Sequence, residues 1–320
     1  MNLSYHISEK LDSYLKKIDE LRSDILLAPL SPKTEIRFKW DANLERIIWS
    51  CALNDILISK PDVIKLLVNT PKFQKRKRKD EEASVIDLRN AFTFIKEEWM
   101  VEKNPVTMKV IKKLYEVSCR ASLGPMTGLT EYSEKRMNSF LDYLQKGQDH
   151  PVIQAGIAQV ETINTTPFDE GNSRIGRLLS YLFLYKNGYD FREMLVLEEY
   201  YKRDVVTYKK VVEMTKIPGN MTIWLEYFAY GIMTQLAKAK ENIVNLKFQE
   251  NLPQSSWKLN SRQKQILEYL ENPEVKITNK DVQKTHGVSQ ITASRDLSKL
   301  TSLGFLFVHG KGRSVYYTRV

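Results

Sequence analysis

The sequence predicts an all-α domain followed by a small α+β domain. Three observations predict it. Up to residue 300, apolar side chains recur at helical spacing, with no strand-rich region and no internal repeat. Residues 243–258 interrupt that pattern with Asn, Gln, Ser and Pro253 and few apolar anchors, so they read as a linker. Beyond the linker, short helical patterns give way to two β-type runs, Phe305–Val308 and Val315–Thr318, joined by a glycine-rich tip. A chain of 320 residues accommodates two or three units with a sizeable core. The divisions are an N-terminal helical extension over 1–40, a helical domain over 41–242, the linker over 243–258 and a C-terminal domain over 259–320.

The helices follow in order. Ile7, Leu11, Tyr14, Leu15, Ile18, Leu21 and Ile25 give residues 3–27 one apolar face, and Pro29 and Pro32 end that helix. Helical patterns continue over 41–58, 61–69, 84–100, 106–118, 133–146, 151–164, 174–187, 198–214 and 221–242. His150, just before Pro151, opens one of them. Ile217-Pro218-Gly219-Asn220 is the turn before the last, whose Trp224, Leu225 and Phe228 are spaced for core packing. The basic run Lys75–Lys79, followed by Asp80-Glu81-Glu82, reads as a solvated loop between helices, with nucleic-acid contact as the alternative.

Composition narrows the function classes. An apolar fraction of 42% with 28% charged residues belongs to a soluble globular protein. No apolar run is long enough to span a membrane, and the first residues lack a secretory apolar stretch. Cys51 and Cys119 have no metal-ligand spacing, so they read as reduced core thiols of a cytoplasmic protein without a structural metal. The net charge of +10 calls for a polyanionic partner. From Ser255 onward there are eleven Lys/Arg against five Asp/Glu, which places +6 of that charge at the C-terminal end.

The stretch Thr166–Arg177 (Thr-Pro-Phe-Asp-Glu-Gly-Asn-Ser-Arg-Ile-Gly-Arg) carries the most chemistry. It reads as a loop entering a helix. Gly171 and Asn172 tolerate the positive φ of an anion-cradling turn. A helix from Arg174 aims its free N–H groups and positive dipole end at that turn. Arg174 and Arg177, three apart, share a face and can both reach an anion. Glu170 is placed to hold a divalent cation beside phosphates, with Asp169 adjacent. The bland alternative is a helix start whose arginines make structural ion pairs.

This stretch resembles the signature of the Fic (Fic/Doc) family, His-Pro-Phe-x-Asp/Glu-Gly-Asn-Gly-Arg-x-x-Arg. Pro167, Phe168, Glu170, Gly171, Asn172, Arg174 and Arg177 match in register. The resemblance spans roughly residues 40–240 and implies an all-α Fic-type domain that binds ATP with Mg²⁺ and transfers AMP to a protein hydroxyl. Two positions depart. Thr166 stands where the family has its base histidine, and Ser173 stands at the second loop glycine. A threonine hydroxyl does not take up a proton near neutral pH, and losing a positioned base costs on the order of 10²–10⁴ in rate. A Cβ at Ser173 would strain a positive-φ position by about 1 kcal/mol. The link holding Gly124-Pro125-Met126-Thr127-Gly128 is too short for the family's β-hairpin flap. Asn54, in Ser50–Asp55, stands where an inhibitory glutamate would pair with the second arginine, and Asp55 is a partial substitute.

In the C-terminal domain, Ser261 caps a helix through Leu270, Thr278 precedes a short helix to His286, and Gly287-Val288 is a turn. Ser289 caps a helix to Leu303 with Ala293, Leu297, Leu300 and Leu303 inward, and Gly304 ends it. This pattern, with its hairpin tip His309–Ser314, resembles the winged-helix domains of bacterial transcription regulators. The resemblance implies DNA as partner, with Ser289, Gln290, Thr292 and Arg295 at bases and phosphates and Lys299, Lys311 and Arg313 at backbone phosphates. It also implies a homodimer reading two half-sites. The alternative is a winged helix used for protein contact. Two functions follow for the whole chain. One is a DNA-binding transcription regulator whose Fic-type domain binds nucleotide or phosphate but is impaired in AMP transfer. The other is an active AMP transferase, acting on a protein target to which its winged helix recruits it.

Overall fold

Ser8 accepts the Leu11 N–H at 3.1 Å and starts α1, Glu9–Leu27. Its Leu11, Leu15, Ile18, Leu21 and Ile25 are buried. In the computed structural model, the described residues are 5–28, 30–68, 80–100, 103–146, 149–217, 220–250, 259–270, 275–302, 305–310 and 314–319. They divide into two units, Met1–Asn245 and Leu246–Val320, each taken by itself below.

In the first unit α2 spans Pro32–Leu53. Pro32, expected to end a helix, instead opens this one. Ser31 caps it, and a proline in the first turn loses no hydrogen bond because that N–H has no helical acceptor. Then come α3 Lys60–Val68, α4 Asp80–Trp99, α5 Met108–Ser118, the short α6 Arg120–Leu123 and α7 Glu131–Lys146. The central pair is α8 Pro151–Thr165 and α9 Asn172–Lys186. The expected helix over 198–214 is two, α10 Leu197–Arg203 and α11 Val205–Met214. Asp204 breaks it with φ −136° and caps α11 by accepting the Thr207 N–H at 3.0 Å. The last helix, α12, runs Met221–Glu250, past its expected end at 242, because no Gly or Pro intervenes before Pro253. The basic run Lys75–Lys79, the turn residues Pro218 and Gly219, and 251–258 of the linker lie outside the described residues.

Small residues let the central helices touch. A Cβ on Gly176 of α9 would stand 2.6 Å from the Gln159 carbonyl oxygen of α8. One on Gly156 would meet Leu225 and Phe228 of α12 at 3.0 and 3.1 Å. Trp224 Nε1 donates to the Gly156 carbonyl at 2.8 Å, and Trp224, Leu225 and Phe228 are all core. Between α9 and α10, Phe191, Arg192 and Glu193 are left-handed, with φ of 49°, 52° and 63°. Such backbone costs about 1–2 kcal/mol per residue. Tertiary bonds hold it. Arg192 donates to the carbonyls of Ile25 and Ala28 at 3.1 and 2.8 Å and pairs with Glu35, while Glu193 pairs with Lys39 and Lys96 at 3.2 and 3.1 Å.

The second unit holds α13 Ser261–Tyr269, α14 Asn279–His286, α15 Gln290–Ser302 and an antiparallel pair, β1 Leu306–His309 with β2 Tyr316–Arg319. Phe307 stands opposite Thr318, and Ile277 exchanges backbone hydrogen bonds with Tyr317 at 2.9 and 2.8 Å. Thr278 and Asp281 form a capping box at the start of α14, and Gly287 ends it at φ 62°. Ile266, Leu270, Val282, Ala293, Leu297, Leu300 and Leu306 make a separate core. Leu303 and Gly304, at the expected end of α15, lie outside the described residues. Among the described residues no helix is long and apolar enough to cross a membrane.

Candidate functional site

The loop between α8 and α9 is tied down at both ends. Thr166 ends α8 in the left-handed region, φ 43° and ψ 59°, with its N–H on the Thr162 carbonyl at 3.2 Å. Phe168 is buried against the Tyr115 ring, centroids 4.7 Å apart. Asn172 then clasps the loop from within the helix. Its Oδ1 accepts the Phe168 N–H at 3.0 Å and its Nδ2 donates to the Phe168 carbonyl at 2.6 Å. Gly171 takes φ 84°, and a Cβ there would meet Cys119 Sγ at 3.1 Å and Leu123 at 3.2 Å.

This corrects three expectations. The positive φ at Asn172 is absent, because Asn172 is the first residue of α9; Thr166 takes a left-handed conformation instead. The helix starts at Asn172, ahead of Arg174, since the clasp fixes its first turn. Ser173 therefore lies inside that turn with no positive φ and carries no strain. The opening N–H groups of α9 have no partner within the helix and form its positive end. Thr166, Asp169, Glu170 and Ser173 around them are exposed.

Both arginines point into the protein. Arg174, 3% exposed, donates to the Ser118 carbonyl at 2.8 Å and to Ser122 Oγ at 2.9 Å, and its Nε has no partner. Ser122 in turn donates twice to Asp87, through N–H at 2.9 Å and Oγ at 2.8 Å. Burial raises the Asp87 carboxyl pKa, while Ser122 and Arg174 act the other way. Arg177, 4% exposed, has an Nη2 without any partner. Glu198 of α10 is the buried acid that feels it. Burial raises the Glu198 pKa, partly offset by a 2.9 Å bond from Tyr181 Oη and by the charges of Arg177 and Arg46. Arg46 lies 4.6 Å from the Phe92 ring centroid and donates to Tyr185 Oη at 3.1 Å. Sequence reasoning missed Arg46, Tyr181 and Glu198; the spacing of Arg177, Tyr181 and Tyr185 four apart was the available signal.

The two histidines of the first unit are each bonded at another helix start. His150 caps the far end of α8, accepting the Val152 N–H at 3.2 Å, and a 15-residue helix is about 22 Å long. His6 bonds Thr222 at the start of α12, and His286 and His309 belong to the second unit. Gly124–Thr130 contains no strand. Its Thr127 carbonyl accepts the Asp169 N–H at 3.1 Å, and Gly128, at φ 88°, packs so closely that a Cβ would lie 2.4 Å from Asp169 N. Asn54 Nδ2 donates to the Ser50 carbonyl at 2.8 Å, and Asp55 is 3.6 Å from Lys202. Among the described residues no group of three or more His, Cys, Asp or Glu is disposed to hold a metal. Burial raises the Tyr115 hydroxyl pKa, and the loop carboxylates Glu170 and Asp169 add to the rise.

In the second unit, Ser289 Oγ accepts the Thr292 N–H at 3.3 Å and lies 3.0 Å from Thr292 Oγ1, so both expected contact residues take part in capping α15. Gln290, Ile291, Ser294, Arg295 and Ser298 line a shallow groove along the outer face of that helix. Asn279 of α14 donates to Ser294 Oγ at 2.8 Å and to the Gln290 carbonyl at 3.2 Å, which braces this face. Ile291, Ser294 and Ser298 were not foreseen, although they lie opposite the inward stripe Ala293, Leu297 and Leu300. Among the described residues no carboxylate lines the groove. Asp296 turns inward to Arg262 at 2.5 Å and Gln263 at 2.7 Å, and Asp281 is spent in its capping box. Lys299 lies on α15, whereas Lys311 and Arg313 lie outside the described residues.

Residues 110–184 match the Fic/DOC family. A crystal structure of a Fic family protein from Desulfovibrio desulfuricans G20 superposes with a TM-score of 0.66 at 14% identity, covering 100% of this chain and 98% of that one. Fic-1 from C. elegans gives 0.60 at 16% identity, over 73% of this chain and 71% of that one. A Fic domain containing signaling protein from Bacteroides thetaiotaomicron VPI-5482 gives 0.57 at 19% identity, over 74% and 97%. At these identities the likeness is one of fold. The comparison with curated proteins found no match.

Proposed function

We propose that this chain, which carries a Fic/DOC family domain, is a DNA-binding transcription regulator whose helical unit holds a nucleotide or phosphate and is impaired in AMP transfer. The observation that carries the DNA reading is the outer face of α15, where Gln290, Ser294, Arg295 and Ser298 flank the exposed Ile291, no described lining residue is a carboxylate, and Asn279 braces the backbone. A polyanion meets no repulsion there. The arrangement of three helices and a hairpin supports a winged-helix reading, in which this helix enters the major groove and Lys299, Lys311 and Arg313 meet phosphates. Two half-sites, read by a homodimer in the cytoplasm, complete that reading.

For the helical unit, the unpartnered Nη2 of buried Arg177 and the free N–H groups of α9 fit an anion. ATP is the proposed ligand, its phosphates at Gly171, Asn172, Ser173 and Arg177, with Glu170 available to Mg²⁺. Arg174, expected at the phosphates, is bonded instead to Ser118 and Ser122 in the interior. Thr166 supports impairment, because its hydroxyl is not a base near neutral pH. The test of the regulator reading is retention of genomic duplex fragments by the full chain at low salt. Capture of a defined set supports it, and no capture overturns it.

The second reading, an active AMP transferase recruited to a protein target, rests on the same unpartnered Nη2 of Arg177. Label passing from ATP to a lysate protein with the natural chain would favour it. Label passing only after Thr166→His would exclude it.

A further inference from the structure

Ile291 is out of place on an otherwise polar surface. It is 65% exposed on α15, flanked in the groove by Gln290, Ser294, Arg295 and Ser298. The helix has a complete apolar side elsewhere, with Ala293, Leu297 and Leu300 fully buried, so packing does not require an isoleucine here. Ile291 and Arg295 are four apart, which makes them neighbours on one strip of the helix. The backbone under that strip is fixed by Asn279 through Ser294 and the Gln290 carbonyl.

We infer that Ile291 is a specificity-determining residue that reads the methyl group of a thymine in the major groove. The inference rests on the DNA reading above. Each base pair presents a distinct pattern there, and the thymine C5-methyl is the apolar group among the donors and acceptors. An exposed aliphatic side chain matches that group, whereas the Arg295 fork matches guanine O6 and N7. Four residues advance about 6 Å along a helix, and base pairs step about 3.4 Å, so the thymine lies about two base pairs from the guanine. Gln290, one residue before Ile291, suits an adjoining adenine. DNA is favoured over a protein partner as the occupant because Arg295 edges the groove, no carboxylate lines it among the described residues, and this end of the chain carries eleven Lys/Arg against five Asp/Glu.

The experiment uses the full chain. A duplex is selected from a random pool, and each thymine is then replaced by deoxyuridine, which removes the methyl alone. At one thymine, about two base pairs from a guanine, the natural chain should bind about four-fold more weakly, the value of one buried methyl. In Ile291→Ala that thymine–uracil ratio should fall to one, while Arg295→Ala should weaken binding yet keep the ratio. A ratio of one at every thymine in the natural chain, or a ratio that survives Ile291→Ala, overturns the inference and leaves DNA binding standing. No binding to any duplex overturns the DNA reading itself. Self-association lost in Ile291→Asp, with no duplex bound, assigns the face to a protein contact and overturns the inference as well.

Discussion

At the scale of single residues, Thr166 is the most telling. It is β-branched and left-handed, a combination that costs about 1–2 kcal/mol, and its hydroxyl offers no base. Asparagine tolerates that backbone better. Thr166→Asn should therefore raise the melting temperature, with a gain of about 0.5–1 kcal/mol by denaturant titration; a loss would mean that the Thr166 side chain makes a stabilising contact. Arg177 is the complementary case, a buried cation with an idle Nη2. If it serves an anion, Arg177→Gln should weaken ATP binding by calorimetry at least ten-fold, or about 1.4 kcal/mol. Equal affinity would remove Arg177 from the ligand site.

At the scale of elements, the contact of α8 with α9 sets the loop. Gly176 admits no side chain, because a Cβ would stand 2.6 Å from a backbone oxygen that cannot turn away. Gly176→Ala should destabilise the helical unit by roughly 1–3 kcal/mol in urea titration. An unchanged midpoint would show that the two helices slide apart freely. In the second unit, Asp296 holds α15 on α13. Burial alone would raise its carboxyl pKa, but Arg262, Gln263 and Asn260 together hold it below the ordinary range. A depressed carboxyl stabilises the fold above the unfolded pKa of about 3.9, and that contribution is lost as pH falls through the folded value. The melting-temperature gap between the natural chain and Asp296→Asn should narrow below about pH 4. A constant gap would assign Asp296 a role independent of its charge.

At the scale of the molecule, helical spacing makes nearly every helix legible in the sequence, and the signature stretch marks the α8–α9 loop. Boundaries were less legible where a side chain decides them at a distance. Asn172 starts α9 by clasping Phe168, and Pro32 opens α2 because Ser31 caps it. The inward turn of both arginines was hidden, since Ser118, Ser122 and Glu198 come from other elements. On α15 the inward stripe and the Ser289 cap were readable, whereas the Thr292 hydroxyl beside that cap was not. The basic balance points the same way as that helix face. The most direct measurement is the affinity of the full chain for its selected duplex as salt is raised from about 50 to 200 mM. A linear fall of log K with log salt is expected, with a slope of about −0.9 per phosphate contacted, and a slope that stays steep for unrelated duplex while the affinity drops. Affinity independent of salt, or no binding at the lowest salt, would contradict it.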